Sequence, residues 1–179
     1  IWQKLGSCPA AVEVDTPIGR RVHLEIIAES YPKCSVIKDA GDDPDVTDGC
    51  RVSAVTDIKD EYGPIVFIGG EGIGTVTEPG LKLPVGEPAI NPVPRQMKET
   101  HVRKVIGGLG AAVTVSIKDG KALAKKTFNP RLGIVGGLSV LGTTGIVRPM
   151  SEEAMKDSLS AELSVRLSKT KHIVFVPGN

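Results

Sequence analysis

Residues 69 to 94, GGEGIGTVTEPGLKLPVGEPAINPVP, put prolines at positions 79, 84, 88, 92 and 94 among closely spaced glycines. Each proline removes an amide donor and clashes with the turn before it, so no helix can run through this stretch. A connection this long inside a folded domain is expected to be an ordered functional loop or else a linker. The apolar residues interleaved with its glycines and prolines argue for order. The whole chain shares the bias: 21 Gly and 13 Pro against 3% aromatic residues spend unusual length on shaped backbone.

At 179 residues and 40% hydrophobic, the chain is long enough for one real core, or for one domain and part of another. No run of about 18 apolar residues exists, and the opening IWQKLGSCPAAVEV lacks the basic-then-apolar order of a signal peptide. The cytoplasm is the expected location. With 22 Lys and Arg against 21 Asp and Glu there is no global field to gather nucleic acid or an anionic membrane. Cys8, Cys34 and Cys50 fit neither a disulfide framework nor a CxxC clasp and are expected to be buried thiols. His23, His101 and His172 stand apart on expected strand or helix surfaces, so no protein-built metal site is expected.

Alternation on both sides of a Pro-Ile-Gly turn predicts a β-hairpin over AVEVDTPIGRRVHLEII. CSVI and RVSAVTDI read as further strands, and the continuous apolar run PIVFI as a central one. A helix is predicted to start near Pro94, with Met97, His101 and Val105 on one face and a glycine stop. AAVTVSIKDGKALAKKT reads as a second hairpin turning at Asp119-Gly120. Ser151 is placed to cap a last helix with Met155, Leu159, Leu163 and Leu167 as its buried stripe, and HIVFVPGN is expected to follow as a strand. The expected class is α+β: a mixed, largely antiparallel sheet with helices over residues 1 to 150. Residues 151 to 179 then open a C-terminal parallel α/β domain, the rest of which lies beyond this chain.

The stretch KDAGDDPDVTDG crowds Asp39, Asp42, Asp43, Asp45 and Asp48 around Pro44. Two carboxylates about 4 Å apart repel by roughly 1 kcal/mol in water and roughly 4 kcal/mol at an effective dielectric of about 20. Such a cluster needs cations, backbone donors or open solvent. The calcium-loop pattern fails, since Asp48 stands where its glycine belongs and Ala54 where its last Glu belongs. Two readings stay open: a solvated ladder of turns, or a rigid acidic wall for a cation or for the hydroxyls and amine of a small ligand. GGEGIG follows a strand, but Thr75 replaces the third glycine of a dinucleotide fingerprint and no helix follows. Its glycines then serve either close approach by a flat ligand or turns alone. Asn91 with Arg95 and Asn129 with Arg131 repeat an Asn-Pro followed by Arg, which suits either a fork for carboxylates or a surface ion pair. No nucleophile elbow or Ser-His-Asp arrangement is present.

Four segments, KDAGDDPDVTDG, GGEGIGTVTEPGL, PVGEPAINPVPR and NPRLGIVGGLSVLGTTGIVRPMSEEA, closely resemble in that order the cobalt-precorrin-5B C1-methyltransferase family (CbiD) of anaerobic cobalamin biosynthesis. The resemblance spans residues 36 to 154 and fades over the first 35. Family members usually open with a Gly- and Thr-rich segment before an alanine-rich helix, which is absent here, and continue into a second α/β domain. The resemblance implies methyl transfer from S-adenosylmethionine to ring carbon 1 of a cobalt-bound tetrapyrrole, giving cobalt-precorrin-6A. On it, Asp42, Asp43, Asp45, Glu71, Gly72 and Gly74 are expected around the donor. Lys38, Glu87, Asn91, Arg95, Asn129, Arg131, Thr143, Thr144 and Arg148 are expected around the tetrapyrrole, whose acetate and propionate arms call for cations. Cobalt enters only inside the substrate, no catalytic residue is assigned, and a homodimer is left open. The rival readings are a non-catalytic acidic-loop module that binds a cation or small polar ligand, and a scaffold whose loops pack against a partner.

Overall fold

The computed structural model describes residues 1–140, 152–174 and 176. The first hairpin forms as expected: β1 (Ala11–Asp15) pairs antiparallel with β2 (Arg21–Glu25), Val12 opposite Leu24 and Val14 opposite Val22. It stays outside the main sheet and is tied to a helix instead. The Asp15 amide donates to His101 Nε2 at 2.9 Å and Lys104 Nζ reaches the Asp15 carboxylate at 3.0 Å. With Nδ1 2.9 Å from the Met97 carbonyl, His101 serves as a neutral bracket between hairpin and helix.

The main sheet has the order β3-β4-β5-β8-β6, from β3 (Ile27–Ala28), β4 (Cys34–Ile37), β5 (Arg51–Tyr62), β6 (Ile65–Gly69) and β8 (Leu109–Ile117). Only β6 and β8 run parallel, so the sheet is mixed and largely antiparallel, in keeping with the α+β expectation. PIVFI is the edge strand β6 rather than a central one. Ile65 and Phe67 point into the core, while Val66 and Ile68 are 52% and 43% exposed. An unbroken apolar run does not itself say how many neighbours a strand has.

The second hairpin does not form. β8 already has β5 on one side and β6 on the other, so no returning strand could pair with it. The helix formers of KALAKK take over, and α3 (Gly120–Ala124) turns the chain inward after Asp119 adopts a left-handed conformation at φ 58°. The central helix α2 (Pro92–Ile106) starts on Asn91 with prolines in its first turn and stops at Gly107. Its expected face holds: Met97, His101 and Val105 are half-buried and Val105 packs with Val102 against the core.

The first core joins Ile65, Phe67, Val113, Val115 and Ile117 of the sheet to Ile106 of α2 and to Ile73, Ile90 and Leu138 from the loops. A second, smaller core lies inside the loops, where Val76, Leu83 and Ala89 meet Leu132 and Ile134. Residues 69 to 94 are thus an ordered loop, as expected. It is stitched by β7 (Thr75–Val76) pairing with β9 (Ile134–Val135) and by single bridges from Ile73 to Leu138 and Ile90 to Val140.

The last helix, α4 (Glu152–Leu167), buries Val165, with Ala161 against the second core, whereas Leu159 and Leu167 are 60% and 51% exposed. The expected leucine stripe is therefore displaced, because α4 seats small residues on the backbone at Gly80, where an added Cβ would lie 2.7 Å from the Ser164 carbonyl. Lys169 Nζ reaches Glu78 at 2.7 Å and completes that seat. Ser151 lies outside the described residues, as does the Met155 side chain. Residues 172–174 form no strand. Nor is any described helix long and apolar enough to cross a membrane.

What locks loops to sheet is a seam of bare backbone. Gly72 sits at φ 76°, and a Cβ there would meet the Ile117 carbonyl at 2.0 Å. A Cβ on Gly120 or on Gly137 would lie 2.3 Å from the Gly72 oxygen. That oxygen instead accepts the Leu138 amide at 2.8 Å, and the Glu71 carbonyl accepts the Ile117 amide at 2.8 Å. Gly72→Ala is expected to cost at least about 3 kcal/mol by denaturant unfolding, since backbone cannot move aside as a side chain can. Gly86→Ala, also at positive φ but facing open space, is expected to cost only about 1–2 kcal/mol. Equal losses at the two positions would refute the seam.

Lys98, one turn after Arg95 on α2, is held low, at about 8 against an ordinary 10.5, first by burial and then by the Arg95 charge. Its folded form sheds a proton before the unfolded chain does, so stability should rise as pH climbs from about 8 to 10.5. Lys98→Met is expected to be more stable than the parent below pH 8, with the gap closing toward pH 10.5. Parallel stability curves for parent and variant across that range would contradict this.

Candidate functional site

The aspartate stretch connects β4 to β5 and neutralises much of its own charge. Asp45 takes the Lys38 ammonium at 2.5 Å and two donors from Thr47, the amide at 2.8 Å and the hydroxyl at 2.7 Å. Burial works to raise the Asp45 carboxyl, but Lys38 and Thr47 outweigh it and hold it below its usual range. Asp48 accepts the Ala40 amide and Asp39 the Gly41 amide, both at 2.8 Å. These are self-capping turns. Asp42 is exposed and Asp43 half-buried, and among the described residues neither carboxylate has an ion-pair partner.

Register places this loop at a meaningful end of the sheet. Ile37 stands opposite Arg51, Val52 opposite Ile117, and Gly69 beside Val115. The aspartate loop, the Gly70–Gly72 turn after β6 and the Asp119 turn after β8 therefore all leave the sheet at the same end, with the Lys118 amide bound to the Arg51 carbonyl at 3.0 Å. Two cavities open around the loop block, and the aspartates line neither.

One, of about 550 Å³, lies off the carboxyl ends of β6 and β8 between Gly70, Glu71, Gly72 and Gly136 on one wall and Asp119, Lys121 and Lys125 on the other. The second, of about 590 Å³, is a groove along β6, floored by Val66, Phe67 and Ile68 and flanked by Gly74, Glu87, Arg95 and Glu99. Ile73 borders both.

Several residues read as ligand contacts are engaged by the protein itself. Arg95 donates Nε to the Ile90 carbonyl at 2.7 Å and Nη2 to Glu87 at 3.1 Å and to the Pro88 carbonyl at 3.2 Å. It clamps the loop onto α2 while still bordering the groove. Asn91 begins α2, and its amide binds the Val140 carbonyl at 3.0 Å. Asn129 is buried, giving Nδ2 to the Gly137 carbonyl at 3.3 Å and receiving the Ser139 hydroxyl at 3.0 Å. Arg131 is exposed, its guanidinium 5.5 Å from the centre of the Phe128 ring. Gly72 and Gly74 are buried against neighbouring residues rather than bare to solvent. Thr143, Thr144 and Arg148 lie outside the described residues.

Lys121 and Lys125 were not legible as site residues, because a β-hairpin would have pointed them elsewhere; only the four-residue spacing of two lysines hinted at a helical face. Among the described residues no group of three or more His, Cys, Asp or Glu is placed to hold a metal ion. The cysteines are half-buried rather than buried, with the Cys8 and Cys34 sulfurs 3.5 Å apart.

Comparison with known proteins agrees with the motif resemblance. A family model described as CbiD matches residues 2–149. A cobalt-precorrin-5B C(1)-methyltransferase of Alkaliphilus metalliredigens is 54% identical over 94% of this chain and 46% of its own length. One of a Thermoanaerobacter species is 50% identical over 94% and 47%. The 1.9 Å crystal structure of the cobalamin biosynthesis protein cbiD from Archaeoglobus fulgidus aligns with TM-score 0.62 at 30% identity, over 85% of this chain and 50% of that one. The chain spans about half the length of the curated relatives it matches. Built on a proline-braced loop block, a glycine seam and four motif segments in family order, the chain belongs to the CbiD family.

Proposed function

We propose that this chain forms part of an S-adenosylmethionine-dependent methyltransferase that methylates carbon 1 of cobalt-precorrin-5B to give cobalt-precorrin-6A. The observation that carries the reading is 54% identity over 94% of the chain to a protein named for that reaction. The family match ends at residue 149, which supports a boundary near 150, although α4 is seated on the preceding loops.

The two cavities suit the two ligands. The smaller, bordered by Glu71 and by glycine backbone, fits the methyl donor, whose ammonium and ribose hydroxyls call for acceptors. The groove along β6 has the apolar floor a flat macrocycle needs, with Arg95 fixed at its edge for a carboxylate arm. Asn91 and Asn129 act by holding the loops that frame these walls. Arg131, at the exposed end of the loop block, is free to meet a further arm.

When bound, S-adenosylmethionine supplies a methyl group already activated by its sulfonium charge. Carbon 1 becomes quaternary and need lose no proton. The tasks left to this chain are to orient the two ligands and exclude water, and neither requires a general base. Cobalt arrives with the substrate.

Incubating the full-length protein with S-adenosylmethionine and cobalt-precorrin-5B under anaerobic conditions, then weighing the corrinoid, tests the proposal. The expected product carries one additional methyl group, with S-adenosylhomocysteine formed in equal amount. Recovery of the unmethylated corrinoid from active, folded protein would overturn it.

A further inference from the structure

The cavity off the carboxyl ends of β6 and β8 differs from the groove in one respect: its charges are not spent on one another. In the groove Arg95 and Glu87 are paired at 3.1 Å. In the cavity Glu71, Asp119, Lys121 and Lys125 line the walls, and among the described residues none of the four has an ion-pair partner. Two carboxylates and two ammonium groups thus line one open cavity of about 550 Å³. Such a set is complementary to a ligand bearing both signs within a few bonds.

The helix that carries the lysines is anchored by packing behind it. Ala124 is buried and Leu123 packs against the main core, so α3 is anchored through these residues. Lys121 and Lys125 are four apart, and Lys125 keeps helical geometry at φ −63° and ψ −22°, so both stand on one face. Asp119 is the one non-glycine residue with positive φ among those described, and it lies on the rim. A conformation of that kind is costly for most side chains and tends to mark functional turns. The location agrees too, since crevices outside the carboxyl ends of parallel strands are where open sheets take ligands.

We propose that Lys121 and Lys125 bind the α-carboxylate of the methyl donor's amino-acid end, while Glu71 and Asp119 face its ammonium group. This rests on the donor assignment above and extends it to residues that the sequence did not single out. Gly136, where an added Cβ would meet nothing within 4 Å, leaves its side of the cavity open to the ligand.

The test is equilibrium binding to the full-length protein, measured calorimetrically, of S-adenosylhomocysteine and of its decarboxylated analogue. The parent is expected to prefer the carboxylate-bearing ligand by about tenfold, the loss of one charge-assisted contact. Lys121→Gln/Lys125→Gln should lose that preference, weakening S-adenosylhomocysteine about tenfold and leaving the analogue unchanged. Lys126→Gln, which does not line the cavity, should behave as the parent. A double variant that still discriminates between the ligands, or a parent that binds both equally, would overturn the inference while leaving the donor assignment intact. A parent that binds neither ligand would overturn the donor assignment itself, and the inference with it.

Discussion

Gly72 touches backbone on three sides, and the rest of the loop block is positioned through that contact. Its neighbours Gly120 and Gly137 come from α3 and from the strip after β9, stretches of chain far apart in sequence. Because no side chain stands between them, main-chain hydrogen bonds form directly: Leu138 to Gly72, Gly74 to Leu138, Ala89 to Gly74 and Val140 to Ala89. A path of amides and carbonyls therefore links three irregular segments almost as a sheet would. The second core of Val76, Leu83, Ala89, Leu132 and Ile134 fills the space beneath. Proline rigidity lowers the entropy cost of ordering these segments, and the glycines let them approach.

The same economy governs charge. Lys38 neutralises Asp45, Arg95 satisfies two carbonyls and Glu87, and Asn129 ties Gly137 to Ser139. Motif residues that read as ligand contacts thus spend much of their bonding capacity inside the protein. Those bonds fix the shape of the walls. Of the ionisable groups that line the two cavities, Glu71, Asp119, Lys121 and Lys125 at the carboxyl ends of β6 and β8 have no ion-pair partner among the described residues.

How much of this could be read from the sequence depended on whether the governing constraint was local. The β1–β2 hairpin, the proline start and glycine stop of α2, and the order of the loop follow from nearby residues, and the sequence reading matched them. α3 was missed because its conformation depends on both edges of β8 being taken, a fact about strand order. β6 reads as central because burial of Ile65 and Phe67 looks alike at an edge. The stripe of α4 was misplaced because the groove at Gly80 selects Ala161 and Val165 over larger leucines. Of the residues lining the cavity at the carboxyl ends of β6 and β8, Glu71 and Gly72 stand out in the sequence through their glycine-rich surroundings, whereas Lys121 and Lys125 do not, because a hairpin reading of α3 points them elsewhere. Lys38, Asp42, Asp43 and Asp45 lie at the same end of the sheet as the cavity beside Glu71 yet line neither cavity.

The central claim is that the seam shapes, from the turns after β6 and β8, the cavity proposed for the methyl donor. Amide hydrogen exchange of the full-length protein, with and without saturating S-adenosylhomocysteine, tests it most directly. The account predicts slowed exchange concentrated at residues 70–73 and 119–125. Slowing confined to residues 39–48, or to segments outside the loop block, would contradict it.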